Sequence, residues 1–218
     1  MFAETFDPAA FHSIFSLHDA DRQFRERNGV SFVETKLKSL ILQHGVEKIF
    51  GVALVHRHFD LEEGTILVEK DMVTAPWRSD NSFAKHGGKI IPTSWFCREG
   101  NVFPYEFGFV PYSKTDPPRL EEYASFVEAF FDTVNLYELG DSVGIRRLSG
   151  NESTGMLECT EGKVNIMFSS NEIPVEYLRS GTETMWFFDS QPPYRTYRCV
   201  CTNTGSSENP NHNHIDQP

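Results

Sequence analysis

The stretch KIFGVALVHRHF at residues 48–59, followed by DLEEG at 60–64 and TILVEK at 65–70, decides how the chain is read. Its apolar and polar residues recur at a period of two, so 48–59 reads as a strand, DLEEG as a turn and 65–70 as the returning strand. Residues two apart on a strand share a face, so His56 and His58 project together, in one row with Leu54 and Asp60. A two-residue loop at Glu63-Gly64 sets His58 opposite Glu69; a four-residue loop over 61–64 sets His56 there instead. Both registers put Glu69 on the histidine face, because paired residues in a ladder point the same way. A three-residue or bulged turn breaks that relation.

Outward from this hairpin the signals alternate between helix and strand. Asp7-Pro8 reads as an N-cap and first helical residue of a short helix burying Phe11, Ile14 and Phe15. The charged run HDADRQFRERNG at 18–29 ends in an Asn-Gly turn signal. Ser31 and Glu34 form a capping box for a helix carrying Val33, Leu37, Leu40 and Ile41, which Gly45 closes. Residues 89–97 and 101–109 make a second hairpin about Arg98-Glu99-Gly100. A Pro-rich connection at 112–119 leads into the longest amphipathic helix, marked by Leu120, Tyr123, Phe126, Val127, Phe130, Phe131 and Val134. Strands follow at 142–148, 155–160, 163–169, 184–189 and 196–202, with a tight turn at Glu161-Gly162. This order predicts an α+β fold: a mostly antiparallel, strongly curved or barrel-like sheet with two or three helices packed on it. It is read as one domain over 1–204 with a polar tail over 205–218.

Composition narrows the function. The chain has 218 residues, 19 of them Phe, so a large core or an aromatic-lined pocket is affordable. A formal net charge of −11 argues against nucleic acid and against an anionic membrane surface as partners. No apolar run reaches the roughly 20 residues that span a bilayer. The first fifteen residues lack the basic and continuous apolar regions of a secretory signal, so a cytoplasmic setting is expected, with reduced cysteines. Gly-rich phosphate loops, G-x-S-x-G and H-E-x-x-H are missing, and no nucleotide cofactor is expected.

Four groups of residues carry candidate chemistry. His56, His58 and Glu69 offer two imidazoles and a carboxylate, which suit either an open divalent-metal site or an acid/base pair with an orienting carboxylate. Trp77, Trp95 and Tyr105 can frame a concave apolar site, with Glu106 as its ionisable group. In LECTEGKVNIMF at 157–168, pairing about Glu161-Gly162 sets Leu157 opposite Ile166, Cys159 opposite Val164 and Glu158 opposite Asn165. Glu158, Asn165 and Arg146 then line a site if their face is interior; the favoured expectation is that it faces solvent. Cys199 and Cys201 in RCVCTN share a strand face and, with His212 and His214, offer zinc donors at a spacing that matches none of the usual zinc modules.

Gly51, His56, His58 and Glu62 or Glu63 stand in an order similar to the cupin motif. The spacer before His56 is one residue short, Gly64 follows the Glu directly, and no second motif follows. The run FGVALVHRHFDLEEGTILVE, with TAPW, PTSWF, PYEF, EGKVNIMF and CVC, resembles a group of filamentous-fungal proteins. That resemblance implies a fungal origin and leaves room for a role in specialised metabolism. The expectation is a lyase, isomerase or cyclase acting on a largely apolar small molecule, with His56 and His58 as acid/base residues or metal ligands. A metal-free, pericyclase-like pocket and a non-catalytic ligand-binding or interaction module are the alternatives. A homodimer is left open.

Overall fold

Strand β1 (Phe50–Leu54) is buried at every position, which places it in a wall covered on both sides rather than at the edge of a hairpin. The computed structural model describes residues 6–80, 85–149, 156–169, 172, 181–189 and 194–201. Nine further strands join β1 within them: β2 (Thr65–Lys70), β3 (Val73–Arg78), β4 (Gly88–Arg98), β5 (Asn101–Pro111), β6 (Val143–Arg147), β7 (Leu157–Glu161), β8 (Val164–Phe168), β9 (Thr182–Phe187) and β10 (Arg195–Cys201). They close into a barrel in the order β1-β6-β4-β5-β2-β3-β8-β7-β10-β9, with β9 returning to β1. Closure leaves no sheet edge to protect. The curved sheet of the sequence reading is therefore a complete barrel. It is mostly antiparallel, with parallel pairs at β2/β5 and β7/β10.

The hairpin expected between 48–59 and 65–70 does not form. β1 stops at Leu54 and pairs with β6 and β9, so both its partners come from far along the chain. Val55 N still donates to Ser142 O at 2.8 Å, and residues 56–59 then leave the wall, where the Arg57 amide donates to Phe15 O and its Nε to Ile14 O, at 2.9 and 2.8 Å. β2 turns back instead through Asp71 and Met72, both at positive φ (51° and 69°), into β3. A two-residue turn of this kind normally uses Asn or Gly, so 73–78 carried no hairpin signal. In the β7–β8 hairpin, Glu161 pairs with Val164 and Cys159 with Ile166, two residues from the expected register. Its Glu158–Asn165 face points into the barrel, not to solvent, because β7 is closed in by β10 on its other side.

Four helical segments, rather than two or three, lie among the described residues. α1 (Pro8–His12) is capped by Asp7, whose carboxylate accepts from Ala9 N and Ala10 N. The charged run at 18–29 is largely α2 (Leu17–Glu26), capped by Ser16. α3 starts at Gly29, ahead of the expected Ser31 cap, and runs as Gly29–Phe32, a π-helical Val33–Leu37 and Lys38–His44. α4 (Ala124–Leu136) follows a 3-10 turn at Leu120–Tyr123. No helix among them is long and apolar enough to cross a membrane.

Alternation sorts the wall into two cores. The outward residues Phe50, Val52, Leu54, Val143, Ile145 and Trp95 pack against Phe126, Phe130 and Val134 of α4 and Phe24, Leu37 and Ile41 of α2 and α3. Inside, Val55, Phe59, Leu67, Phe96 and Tyr105 meet Ala10 and Phe11 of α1 and Ile14 just after it in one cluster. Ala53, Met156, Met185, Phe187 and Tyr197 form another. Between these apolar layers sit the polar residues described below.

Gly144 sits where β6 and β4 crowd together. A Cβ there would lie 2.3 Å from the Trp95 carbonyl oxygen and 2.8 Å from Val55 Cγ2. A backbone atom cannot yield as a side-chain tip can, so Gly144→Ala is expected to lose about 1–3 kcal/mol, read from the denaturant midpoint at unchanged m-value. An unchanged midpoint would show that the two strands can separate there at no cost.

Candidate functional site in the barrel interior

Arg146 is the inward residue of β6 that reaches farthest along the wall. Its strand partner Gly51 has no side chain, and Ala53 opposite Gly144 has a single methyl, which leaves the guanidinium room to lie along the inner surface. It donates to Ser94 Oγ on β4 at 2.8 Å, to Glu106 on β5 at 2.5 Å and to Glu69 on β2. Ser94 Oγ in turn donates to the same Glu106 carboxylate at 2.7 Å. Four adjacent strands thus contribute one connected chain of polar groups. Burial raises the Glu106 pKa above its ordinary value, and Arg146 only partly opposes that. Burial also disfavours the Arg146 charge, yet Glu69 and Glu106 more than offset it and hold the guanidinium firmly protonated. Tyr105 is pushed up by burial and by the Glu106 charge, so its hydroxyl stays neutral.

Across the interior lies a second cluster of different chemistry. After β1 ends, His56 turns so that its Nδ1 lies 2.7 Å from Leu54 O. A carbonyl can only accept, so the proton sits on Nδ1 and the Nε2 lone pair points away from the backbone. That Nε2 is 3.1 Å from His58 Nε2. His58 Nε2 is in turn 3.7 Å from Cys199 Sγ on β10 and 3.7 Å from Glu158 Oε2 on β7. The parallel register of β7 and β10 places Cys199 and Glu158 side by side. His58, Glu158 and Cys199 are buried, His56 partly so, and one donor atom from each falls within 4.8 Å of all the others.

These separations suit a metal ion. Tetrahedral zinc holds its nitrogens about 3.3 Å apart and a nitrogen and thiolate sulfur about 3.6 Å apart. The carbonyl that fixes the His56 tautomer is the kind of outer partner that metal-bound imidazoles use. Two imidazoles, a thiol and a carboxylate favour zinc or another borderline transition metal over magnesium or calcium.

The two clusters meet at a cavity. Glu158 lines it together with Glu69, Glu106, Arg146 and Asn165, while Met167, Met185, Phe187 and Tyr197 supply apolar wall. About 40 Å³ of it is open to the centre of a water molecule, room for roughly three waters. Asn165 accepts from Thr160 Oγ1 at 3.0 Å, and its amide nitrogen is buried with no hydrogen-bond partner among the described residues. That N–H is a ready donor to an oxygen placed in the cavity.

The structure brings together some of the residues that sequence reading grouped and separates others. His56 and His58 do meet, but through a bend after β1 rather than along a strand face. Glu69 lies with Arg146 instead of with the histidines. Tyr105, Glu106 and Arg146 are interior. Trp95 is on the outer face in the helix-side core, and Trp77 packs against Phe109 and His86. Trp77, Trp95 and Tyr105 therefore do not frame one pocket. Cys199 pairs with His58 and Glu158; His212 and His214 lie outside the described residues. The sequence signal for Cys199 and Glu158 was their alternation, yet nothing local shows that β7 and β10 run side by side. No protein-family model, curated protein or solved structure matches the chain.

Proposed function

We propose that the protein is a metal-dependent enzyme of lyase or isomerase type, acting inside its barrel on a small, largely apolar molecule that carries an oxygen at one end. The observation that carries this reading is the convergence of His56 Nε2, His58 Nε2, Cys199 Sγ and a Glu158 oxygen within 4.8 Å, beside a cavity. Of the four donors, Glu158 is the one at the cavity wall. The two imidazoles and the Cys199 thiolate would hold a divalent ion, and the chemistry such an ion would supply is Lewis acidity toward a substrate carbonyl. Glu158 serves as the base: it takes a proton from the carbon next to the carbonyl, the electron pair of that C–H bond forms a carbon–carbon double bond, and the carbonyl π pair moves onto the oxygen. Return of the proton to another carbon completes an isomerisation; departure of a β-substituent completes an elimination. Asn165 N–H stands ready to donate to the substrate, and the thioether walls at Met167 and Met185 adapt to an apolar body.

The metal-free alternative uses the same residues, with His58 and Cys199 as an acid/base and nucleophile pair. Metal analysis of protein made without a polyhistidine tag separates the two. About one zinc-class ion per chain is expected after gel filtration. A metal-free preparation whose melting temperature ignores added zinc would sink the metal reading.

A further inference from the structure

The outer wall of the barrel carries a second polar feature that the interior chemistry does not use. Arg147 follows Arg146 on β6 and therefore points the opposite way, into the layer between β4 and the Pro-rich connection. It is 8% exposed. Its Nη1 donates to Pro92 O at 2.9 Å and its Cζ lies 5.0 Å from the Trp95 ring centroid. Its Nε is buried with no hydrogen-bond partner, and among the described residues no carboxylate lies within ion-pairing distance of the guanidinium. Arg146, one residue earlier, holds two carboxylates. A buried cation without a counter-charge is costly, and burial pulls the Arg147 pKa below its ordinary value, with Glu121 the strongest opposing charge.

Beside Arg147 runs a groove walled by Ile91, Trp95, Pro117 and Leu120, with about 330 Å³ open to the centre of a water molecule. Two acids and a second arginine, Arg119, also line it, and each acid already faces a cation. Asp116 pairs with Lys89, and Glu121 lies 3.6 Å from Arg119. The unmet charge in the groove is therefore positive and sits at Arg147, against an aromatic wall.

We infer that this groove binds an organic monocarboxylate with an aromatic or aliphatic body, the carboxylate meeting Arg147 and the body lying against Trp95, Ile91 and Leu120. A planar guanidinium can take a carboxylate with two parallel hydrogen bonds. One negative charge matches the one unmet positive charge; a dianion would leave an excess beside Asp116 and Glu121. The site lies on the opposite side of the wall from the metal-ligand cluster, so it stands whether or not that cluster holds a metal.

Calorimetric titration with 3-phenylpropionate and with its neutral amide, 3-phenylpropionamide, tests the site on the full chain. Saturable one-to-one binding of the acid is expected, with the amide weaker by about ten-fold or more, as befits loss of a charge-assisted pair. Arg147→Met should lose the acid by a similar factor. Its melting temperature should stay within about 5 °C of the parent, because the substitution removes an uncompensated buried charge. No saturable binding of the acid at millimolar concentration overturns the proposal. So does equal affinity for acid and amide, or undiminished binding by Arg147→Met. The acid–amide comparison on the unaltered protein keeps the test decisive if the variant folds poorly.

Discussion

Replacing Arg146 with Met is expected to cost about 3–5 kcal/mol of folding stability and to lower Tm by roughly 6–20 °C. Arg146 is the single cation inside a ring of described groups that includes Glu69, Glu106 and Ser94. Taking it away leaves two carboxylates in the barrel with no counter-charge, which costs far more than the ion pairs contribute net. The loss should depend on pH in a definite direction. Glu106 already has a raised pKa in the folded protein, so folding takes up a proton between its ordinary and its raised value. Its contribution to stability is present below that window and declines as pH rises through it. Without Arg146 the raised value climbs further, so the variant should be closest to the parent in acid and weakest above neutrality. Adding Glu106→Gln to Arg146→Met should recover part of the deficit, with a coupling of about 1 kcal/mol or more between the two sites. Denaturant titrations at acid and neutral pH read all of this. A deficit below about 1 kcal/mol, or one that does not change with pH, would show that water solvates the network and that the ring is not a buried unit.

How much of this was legible in the sequence follows from how local each signal is. The Asp7 cap, the Gly45 helix end, the Glu99-Gly100 hairpin and the apolar face of α4 each depend on residues within a turn or two, and all are found where the pattern puts them. The strand spans of the second half are recovered to within a few residues for the same reason. The barrel itself is not a local property. β1 looks like half of a hairpin because a turn signal and a second strand follow it, yet its partners lie near residues 145 and 186. That one mispairing moved Glu69 from Arg146 to the histidines. The solvent-facing reading of Glu158 and Asn165 failed likewise: a polar face on a hairpin is ordinary surface until closure folds it inward. Trp95 shows the converse. Its aromatic character suggested a pocket shared with Tyr105, but strand parity sets it on the opposite face from Ser94, in the layer beneath α4 and on the wall of the groove beside Arg147 instead.

The metal reading makes its sharpest demand on the individual donors. Cobalt-loaded protein is expected to show a thiolate-to-cobalt absorption band in the near ultraviolet, because Cys199 is the one sulfur in the donor set. Cys199→Ser should abolish that band, and His58→Ala should weaken metal binding by about 100-fold or more, since His58 Nε2 lies within 3.7 Å of a donor atom of each of the others. At a metal concentration about 1,000 times Kd, the parent should gain about 4 kcal/mol over the metal-free form, or roughly 8–16 °C in Tm. Glu158→Gln should keep much of the metal through His56, His58 and Cys199 while turnover falls, because the base at the cavity wall is gone. Glu69→Gln supplies the contrast. Glu69 is held by Arg146 and is no part of the donor set, so its loss should lower stability and leave both the cobalt band and metal affinity intact. A cobalt spectrum that survives Cys199→Ser but collapses with Glu69→Gln would instead place the ion between the histidines and β2. The contacts favour the first outcome: Glu69 is engaged by Arg146, while Glu158 and Cys199 lie side by side on β7 and β10 next to His58.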